Sequence, residues 1–269
     1  MRTVSFLVIT AILLCTLSAG CLQHPAGLET TEQIENQYPV FEYSHVEVQN
    51  MNGKTTVTGD SGSSVLLHAV KRTRFGAAEL ERVRIDGSVR DGTLVLQTVG
   101  TDLPFSGVSV DVDVQVPASV LVGSVSSSNG EVSIRDVTGD VDAGSANGAI
   151  TLVNIAGYVR VTGSNGAIDV RNVTGIRGIT TSNGAVVAEL RNIRSDIAIS
   201  TANGEIRLAV ATDLNATLIA TTANGAVTAE GIPMNTTIRE RTRIEGVLGD
   251  GSYRVTVSTQ NGNIAILPL

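Results

Sequence analysis

The sequence predicts an all-β fold, a parallel β-helix (solenoid) whose coils are about 18–21 residues long. Three observations predict it. An Asn-Gly pair recurs along the second half of the chain, and apolar residues alternate with polar ones on both sides of each pair. Val, Ile and Thr dominate the composition, while aromatic residues make up only 3%. A core of this kind must be assembled from small β-branched side chains stacked in many layers.

The Asn-Gly pair marks one repeat unit. Successive pairs are separated by 18, 18, 18, 20, 21 and 37 residues. The last interval is about two periods, so we interpret it as one degenerate coil or as a coil with an insertion. The asparagines of this column are Asn129, Asn147, Asn165, Asn183, Asn203, Asn224 and Asn261.

Each unit contains two short strands, one before and one after the pair. The fourth residue before each Asn and the third and fifth residues after it are apolar, while the residues between them are mostly polar or small. Asn-Gly is also a strong hairpin signal. The identity of residue classes in successive units nevertheless favours coils stacked about 4.8 Å apart, because antiparallel hairpins pair different positions. By analogy we expect a right-handed helix.

Two polar columns fit this arrangement. The Asn column falls on the inward parity of the preceding strand, so we expect stacked amides that hydrogen-bond from coil to coil. The Gly that follows is expected to have positive φ. Two residues before each Asn comes a predicted hydroxyl ladder: Ser127, Ser145, Gly163, Thr181, Thr201, Thr222 and Thr259.

The N-terminal segment predicts export and lipidation. Residues 1–20 combine Arg2, an apolar stretch and small residues before Cys21, as in a signal peptide. The segment resembles a lipobox, although Ser18 stands where Leu is usual. Lipidated Cys21 and a flexible tether would occupy residues 21–39, and a β-helix domain residues 40–269, with the repeats in about 125–269. An ordinary signal peptide with an incidental cysteine is the alternative.

The chain resembles the family of adhesin-like surface proteins of bacteria and archaea. The matching parts are Val46-Glu47-Val48 through Val57-Thr58-Gly59, the strand Val110–Pro117, the repeats from Asn129 to Asn224, and the closing Gly249-Asp250-Gly251 with Asn261-Gly262-Asn263-Ile264. The resemblance covers roughly residues 40–269 and implies a β-helix in the cell envelope. The family has no established molecular activity, so it transfers no functional residue.

The residues predict no catalytic, cofactor or metal site. His45 and His68 lack Cys or Glu at ligand spacing, and no serine lies in a nucleophile motif. Some β-helices are polysaccharide-active enzymes, but the carboxylates here fall at outward or turn positions. They are Asp136, Asp140, Asp142, Asp169, Glu189, Glu205 and Glu230.

The expected function is therefore non-enzymatic. A net charge of −7 argues against nucleic acid as a partner. We expect a cell-surface lipoprotein that is anchored in the membrane through Cys21 and binds a cell-envelope glycan or protein. An envelope-structural or stress-associated protein without an adhesive ligand is the alternative, and a polysaccharide-active enzyme a remote one. Asn172, Asn215 and Asn235 begin sequons for glycosylation.

Overall fold

The computed structural model describes residues 29–100 and 107–269. The predicted signal peptide, Cys21 and the start of the predicted tether lie outside the described residues. One short helix, α1 (Ala77–Glu81), accompanies the strands. In chain order the strands are β1 (Thr30–Pro39), β2 (His45–Asn52), β3 (Thr55–Asp60), β4 (Ser64–Thr73), β5 (Val83–Arg90), β6 (Thr93–Gly100), β7 (Val108–Pro117), β8 (Leu121–Asn129), β9 (Val132–Arg135), β10 (Val141–Asn147), β11 (Ile150–Asn165), β12 (Ile168–Asn183), β13 (Val186–Leu190), β14 (Ile197–Asn203), β15 (Ile206–Val210), β16 (Ala216–Asn224), β17 (Val227–Ala229), β18 (Asn235–Arg239), β19 (Arg243–Leu248), β20 (Tyr253–Asn261) and β21 (Ile264–Pro268).

The central coils form a parallel solenoid, which confirms the predicted fold and excludes the hairpin alternative. Each coil has a strand in layer A before the Asn-Gly pair and a strand in layer B after it. In layer A, β8, β10, the second half of β11, the second half of β12 and β14 pair in parallel. In layer B, β9, the first halves of β11 and β12, β13 and β15 do the same. Equivalent positions pair throughout, for example Asn147 with Asn165.

The core lies between the two layers and consists of the predicted apolar columns. Val125, Val161 and Ile179 from layer A face Ile150 and Ile168 from layer B, and all five side chains are buried. Each fully buried Val or Ile side chain contributes about 1.5–3 kcal/mol. Because every coil adds the same inward positions, the core extends along the stack without large aromatic residues.

Both ends of the stack depart from chain order. At the C-terminal end, the coil β20–β21 is inserted between β14–β15 and β16–β17, although it follows both in sequence. At the N-terminal end, β2–β3 lies between β6–β7 and β8–β9, although it precedes both. The 37-residue interval does carry an insertion, as one of the two interpretations predicted, because β18 and β19 form an antiparallel pair within it. At the C-terminal end the outer coil comes first in sequence and the inner coil follows it, whereas at the N-terminal end the inner coil comes first.

Antiparallel strands close both ends. In layer A, β5 flanks β6 at one end, and β19 followed by β18 flanks β16 at the other. In layer B, β4 flanks β7 and β1 pairs with β4. The prediction of a flexible tether was thus wrong for Thr30–Pro39. This segment satisfies the open edge of β4, and its Glu32 accepts a hydrogen bond from the buried ammonium group of Lys71 at 3.1 Å.

Candidate binding surfaces

The Asn column forms a continuous chain of side-chain amides at the corner between layers A and B. The Nδ2 atom of Asn147 donates to Oδ1 of Asn129 at 2.8 Å, and the same bond links each level to the next. The order follows the stack rather than the sequence, since Asn261 donates to Asn203 and Asn224 donates to Asn261. Asn52 joins the chain by accepting from Asn129.

The asparagine side chains are exposed, so their expected inward position was wrong. The alternation of layer A breaks just before the corner, where Ala146 and Asn147 are both exposed after buried Ser145. The bend turns the amides outward. Their mutual hydrogen bonds therefore line an outer edge of the solenoid instead of satisfying polar groups in the core.

The glycine after each Asn is required by close stacking. A Cβ atom at Gly148 would lie 2.1 Å from the carbonyl oxygen of Gly130, and one at Gly204 would lie 2.0 Å from that of Gly184. Positive φ, the expected reason, occurs in this column at Gly53, Gly166 and Gly262. Neighbouring backbones approach so closely at this corner that any side chain there would collide with the next coil.

The inner hydroxyl column is buried, but its members do not bond to one another. Ser145 donates to the carbonyl oxygen of Gly130 at 2.9 Å, and Thr201 donates to that of Gly184 at 3.1 Å. Thr222 and Thr259 bond in the same way to corner glycines of neighbouring coils. The hydroxyls of Ser127 and Thr181 have no partner within the described residues. The column thus joins layer A to the corner of the adjacent coil.

A second ladder lies at the return corner, where layer B of one coil leads to layer A of the next. Asp136, Asn154 and Asn172 all have positive φ, between 48° and 58°. Asn154 donates to Asp136 at 2.8 Å, and Asn172 donates to Asn154 at 2.7 Å. Sequence reasoning missed this column. Its sequence signal is an Asp or Asn that is followed directly by Val or Ile and has a Gly three positions after it. This signal recurs with the same 18-residue period.

Most of the carboxylates noted in the sequence are engaged by arginine. Asp140 pairs with Arg194, whose guanidinium lies 4.0 Å from the centre of the Tyr158 ring. Burial disfavours ionisation of Asp140, but hydrogen bonds from the Tyr158 backbone N–H and Arg194 outweigh it and hold the pKa of Asp140 below its usual value.

The same pairing with arginine recurs along the solenoid. Between residues 29 and 100 and between 107 and 269, no group of three or more His, Cys, Asp or Glu side chains could hold a metal ion. The further carboxylate–arginine pairs are Asp142–Arg177, Asp169–Arg171, Glu189–Arg191 and Glu205–Arg207.

The outer side of layer A carries a straight row of hydroxyl groups, which we name the hydroxyl face. It runs over seven consecutive strands from β8 to β16, and only Gly144 interrupts it. Adjacent members lie about 4.8 Å apart, the spacing of paired strands. None of their side chains has a hydrogen-bond partner within the described residues. The hydroxyl face consists of Ser126, Thr162, Thr180, Ser200, Ser258 and Thr221.

A cleft lies at each place where the stack departs from chain order. The N-terminal cleft, about 470 Å³, is bordered by residues 59–61, 116–120 and 136–138. The C-terminal cleft, about 320 Å³, is bordered by residues 191–193, 213–215 and Tyr253. In the regular coils, by contrast, identical turns stack directly on one another at the return corner, as Asp136, Asn154 and Asn172 do.

The three sequon asparagines lie in different surroundings. Asn172 belongs to the second ladder, and Oδ1 of Asn215 accepts a hydrogen bond from the backbone N–H of Asp250 at 3.2 Å. Asn235 is exposed on β18, and its side chain makes no hydrogen bond to the described residues. Glycosylation stays a prediction for all three.

Comparison with known proteins identifies the family. The family model of the toastrack domain DUF4097 matches residues 97–267, which is more than half of the chain. The chain belongs to the toastrack DUF4097 family. The toastrack family itself has no assigned activity. Two crystal structures are also similar to the chain. No curated protein matches the chain significantly.

The two crystal structures are weakly similar to the toastrack chain. One is a candidate cell adhesion protein of Clostridium sporogenes, with 14% identity over 90% of this chain and 100% of that one and a TM-score of 0.37. The other is a candidate adhesin of Bacteroides fragilis, with 13% identity over 87% of this chain and 97% of that one and a TM-score of 0.43. No helix within the described residues is long and apolar enough to cross a membrane.

Proposed function

We propose that this toastrack protein is a non-enzymatic binding scaffold held outside a membrane by lipid on Cys21, and that the hydroxyl face contacts a cell-envelope glycan or protein. The hydroxyl face is the observation that carries the proposal. The amide ladders and the ion pairs occupy other parts of the polar exterior, whereas these hydroxyls are left without partners.

The physical properties of this face suit adhesion to a repetitive partner. The row is uncharged and in register, so it offers donors and acceptors at regular intervals without the desolvation cost of buried ion pairs. Each single contact is weak, but several contacts along one rigid sheet add through effective concentration. A lipid anchor at Cys21 would raise that local concentration further at the membrane.

The test is a binding array of glycans and cell-envelope fractions, probed with the chain from residue 21 carrying Cys21→Ser. The double variant Thr162→Lys/Thr180→Lys places two charges on the hydroxyl face and is expected to weaken binding by at least about fivefold. The control Thr151→Lys places one such charge on the outer side of β11 in layer B and should leave binding unchanged.

Two results would contradict the proposal. Folded protein that binds nothing on the array would instead favour an envelope-structural or stress-associated role. Binding that survives the double variant would move the contact away from the hydroxyl face. Anchoring is tested separately, since incorporation of radiolabelled palmitate in the expressing cell should disappear in the full-length Cys21→Ser variant.

A further inference from the structure

We propose that the C-terminal cleft is a binding site for a neutral saccharide of one or two sugar rings, a proposal that rests on the binding function above and specifies its ligand. The cleft has a buried apolar floor, formed by Ile193 and Leu214, and exposed polar walls. Its volume of about 320 Å³ lies at the lower end of the roughly 300–1,000 Å³ of small-molecule sites.

The cleft exists because the C-terminal coil is inserted out of chain order. The turn after β15, the turn after β13 and the start of β20 meet there from distant parts of the sequence. Two hydrogen bonds fix these segments: the backbone N–H of Arg254 donates to Asp196 at 2.9 Å, and that of Asp250 donates to Asn215 at 3.2 Å. The walls are thus held in place without a ligand.

Asn192 is left unpaired where the second ladder ends. It follows Asn172 in the column of Asp136 and Asn154, but after an interval of 20 residues instead of 18. The backbone N–H of Asn172 donates a hydrogen bond to the Glu189 carboxylate at 3.0 Å. No described residue hydrogen-bonds the Asn192 side chain, which is exposed at the cleft. Its amide offers two donors and an acceptor to a ligand.

Tyr253 and Asp213 supply the other contacts that a sugar requires. Tyr253 is 37% exposed, and neither its hydroxyl nor the Asp213 carboxylate has a partner among the described residues. An aromatic ring has a negative face that attracts the C–H groups of a sugar ring, while a carboxylate and an amide bind its hydroxyls. The neighbours of Tyr253 in the cleft come from other turns, so the sequence around Tyr253 does not reveal this group of side chains.

The charges at the cleft favour a neutral ligand over an anionic one. Asp213 is unpaired, and the only arginine on the wall, Arg191, is already engaged by Glu189 at 2.9 Å. A sulfated or carboxylated sugar would meet the unpaired carboxylate. The N-terminal cleft lacks an aromatic wall, and its Asp60 and Asp136 accept hydrogen bonds from Gly62 and Asn154, so we assign no ligand to it.

The test measures binding of cellobiose, lactose and N,N′-diacetylchitobiose by saturation-transfer NMR, with a sulfated heparin disaccharide as the anionic comparison. The chain from residue 21 with Cys21→Ser should bind at least one neutral disaccharide below about 20 mM, and more tightly than the sulfated one. Tyr253→Ala should weaken binding by at least about tenfold, and Tyr253→Phe by less than about threefold because the ring remains.

Two further variants test the cleft at side chains whose substitution should not disturb the fold. Asn192→Ala and Asp213→Asn alter exposed side chains without folded-state partners, so each should keep the fold while weakening binding by about threefold or more. Phe41→Ala, which removes an exposed aromatic side chain between β1 and β2 at the other end of the stack, is the control and should bind normally.

The proposal is overturned if none of the neutral disaccharides binds, if the sulfated one binds more tightly, or if the Tyr253, Asn192 and Asp213 variants all bind like the parent. Array binding could also be lost in Thr162→Lys/Thr180→Lys and unchanged in Tyr253→Ala. That result would support the proposed binding function and contradict only the saccharide site in the cleft.

Discussion

The central coils and the ends of this toastrack domain are built from the same columns but joined differently. Between β8 and β14 each coil stacks on the one before it in sequence, and Asn129, Asn147, Asn165 and Asn183 bond in chain order. At the C-terminal end Asn203 is followed in the stack by Asn261 and only then by Asn224. Equivalent positions therefore specify which residues can pair, but not which coil stacks on which.

This difference has consequences for folding and for function. Central contacts join residues about one period apart, whereas Asn203 and Asn261 are 58 residues apart in sequence. Contacts between distant residues carry a larger loop-closure cost and form later in folding. The departure from chain order also brings unlike turns together at each end of the regular stack, where the two clefts lie.

The largest effect on the free energy of unfolding is expected from substituting glycines, which are required for different reasons in the two regions. Gly148→Ala in the centre brings a Cβ atom within 2.1 Å of the Gly130 carbonyl oxygen, so it should cost about 3 kcal/mol. Gly92, in the turn between β5 and β6, has φ 73° and no atom within 4 Å of an added Cβ.

Gly92→Ala should therefore cost about 1–2 kcal/mol, and Gly92→Asn less, because Asn tolerates positive φ. Urea denaturation of the three variants measures this difference. Equal losses at Gly148 and Gly92 would contradict the assignment of close stacking to the Asn-Gly corner.

A smaller effect is expected from two buried threonines of the inner hydroxyl column. Thr259, in the inserted coil, donates to the Gly204 carbonyl oxygen at 3.0 Å, whereas Thr181, in a central coil, has no partner. Thr259→Val should cost about 1 kcal/mol through the lost hydrogen bond. Thr181→Val should be neutral or stabilising, because it removes an unsatisfied buried hydroxyl. A loss of stability in Thr181→Val equal to that in Thr259→Val would show that both hydroxyls are bonded.

The smallest effect is expected from Asp140 at a central return corner. Its pKa is lower in the folded state, so it adds stability above its unfolded pKa of about 3.9, and that contribution disappears as the pH falls through the folded pKa. Asp140→Asn should lower the free energy of unfolding by up to about 1 kcal/mol at pH 6. The difference in the free energy of unfolding between the parent chain and Asp140→Asn should vanish near pH 2. A difference that does not depend on pH would exclude the ion pair as its cause.

The sequence predicted the parts of the fold that repeat. The Asn interval and the apolar positions around it predicted parallel coils and buried columns, and Val132, Ile150 and Ile168 lie in the core as expected. The Asn amides do bond from coil to coil, but their outward position follows from a local break in alternation that residue class alone does not show.

The parts that the sequence did not predict depend on contacts between distant residues. Tyr253 has the same sequence context whether β20 is the last coil or is inserted between two others, so its place in the C-terminal cleft could not be inferred. The pairing of Thr30–Pro39 with β4 was missed because a polar segment with Pro25 and Gly27 before it also resembles a tether. The second ladder was within reach, since Asn154 and Asn172 follow the 18-residue period already identified.

The most direct test of the account is disulfide mapping of the C-terminal stack in the chain from residue 21 with Cys21→Ser. Ala198 pairs with Thr256 on neighbouring strands, and Ile219 pairs with Thr256 on the other side. Paired strands lie about 4.8 Å apart, within the Cα separation that a disulfide spans. Ala198→Cys/Thr256→Cys and Ile219→Cys/Thr256→Cys should therefore each form a disulfide under mild oxidation, as shown by mass spectrometry of proteolytic fragments. Ala198→Cys/Ile219→Cys should not, because β20 lies between these strands. Ile219→Cys/Thr256→Cys is the positive control, because β16 and β20 are neighbours in either order. A disulfide in Ala198→Cys/Ile219→Cys and none in Ala198→Cys/Thr256→Cys would show that the coils stack in chain order and would contradict the inserted coil.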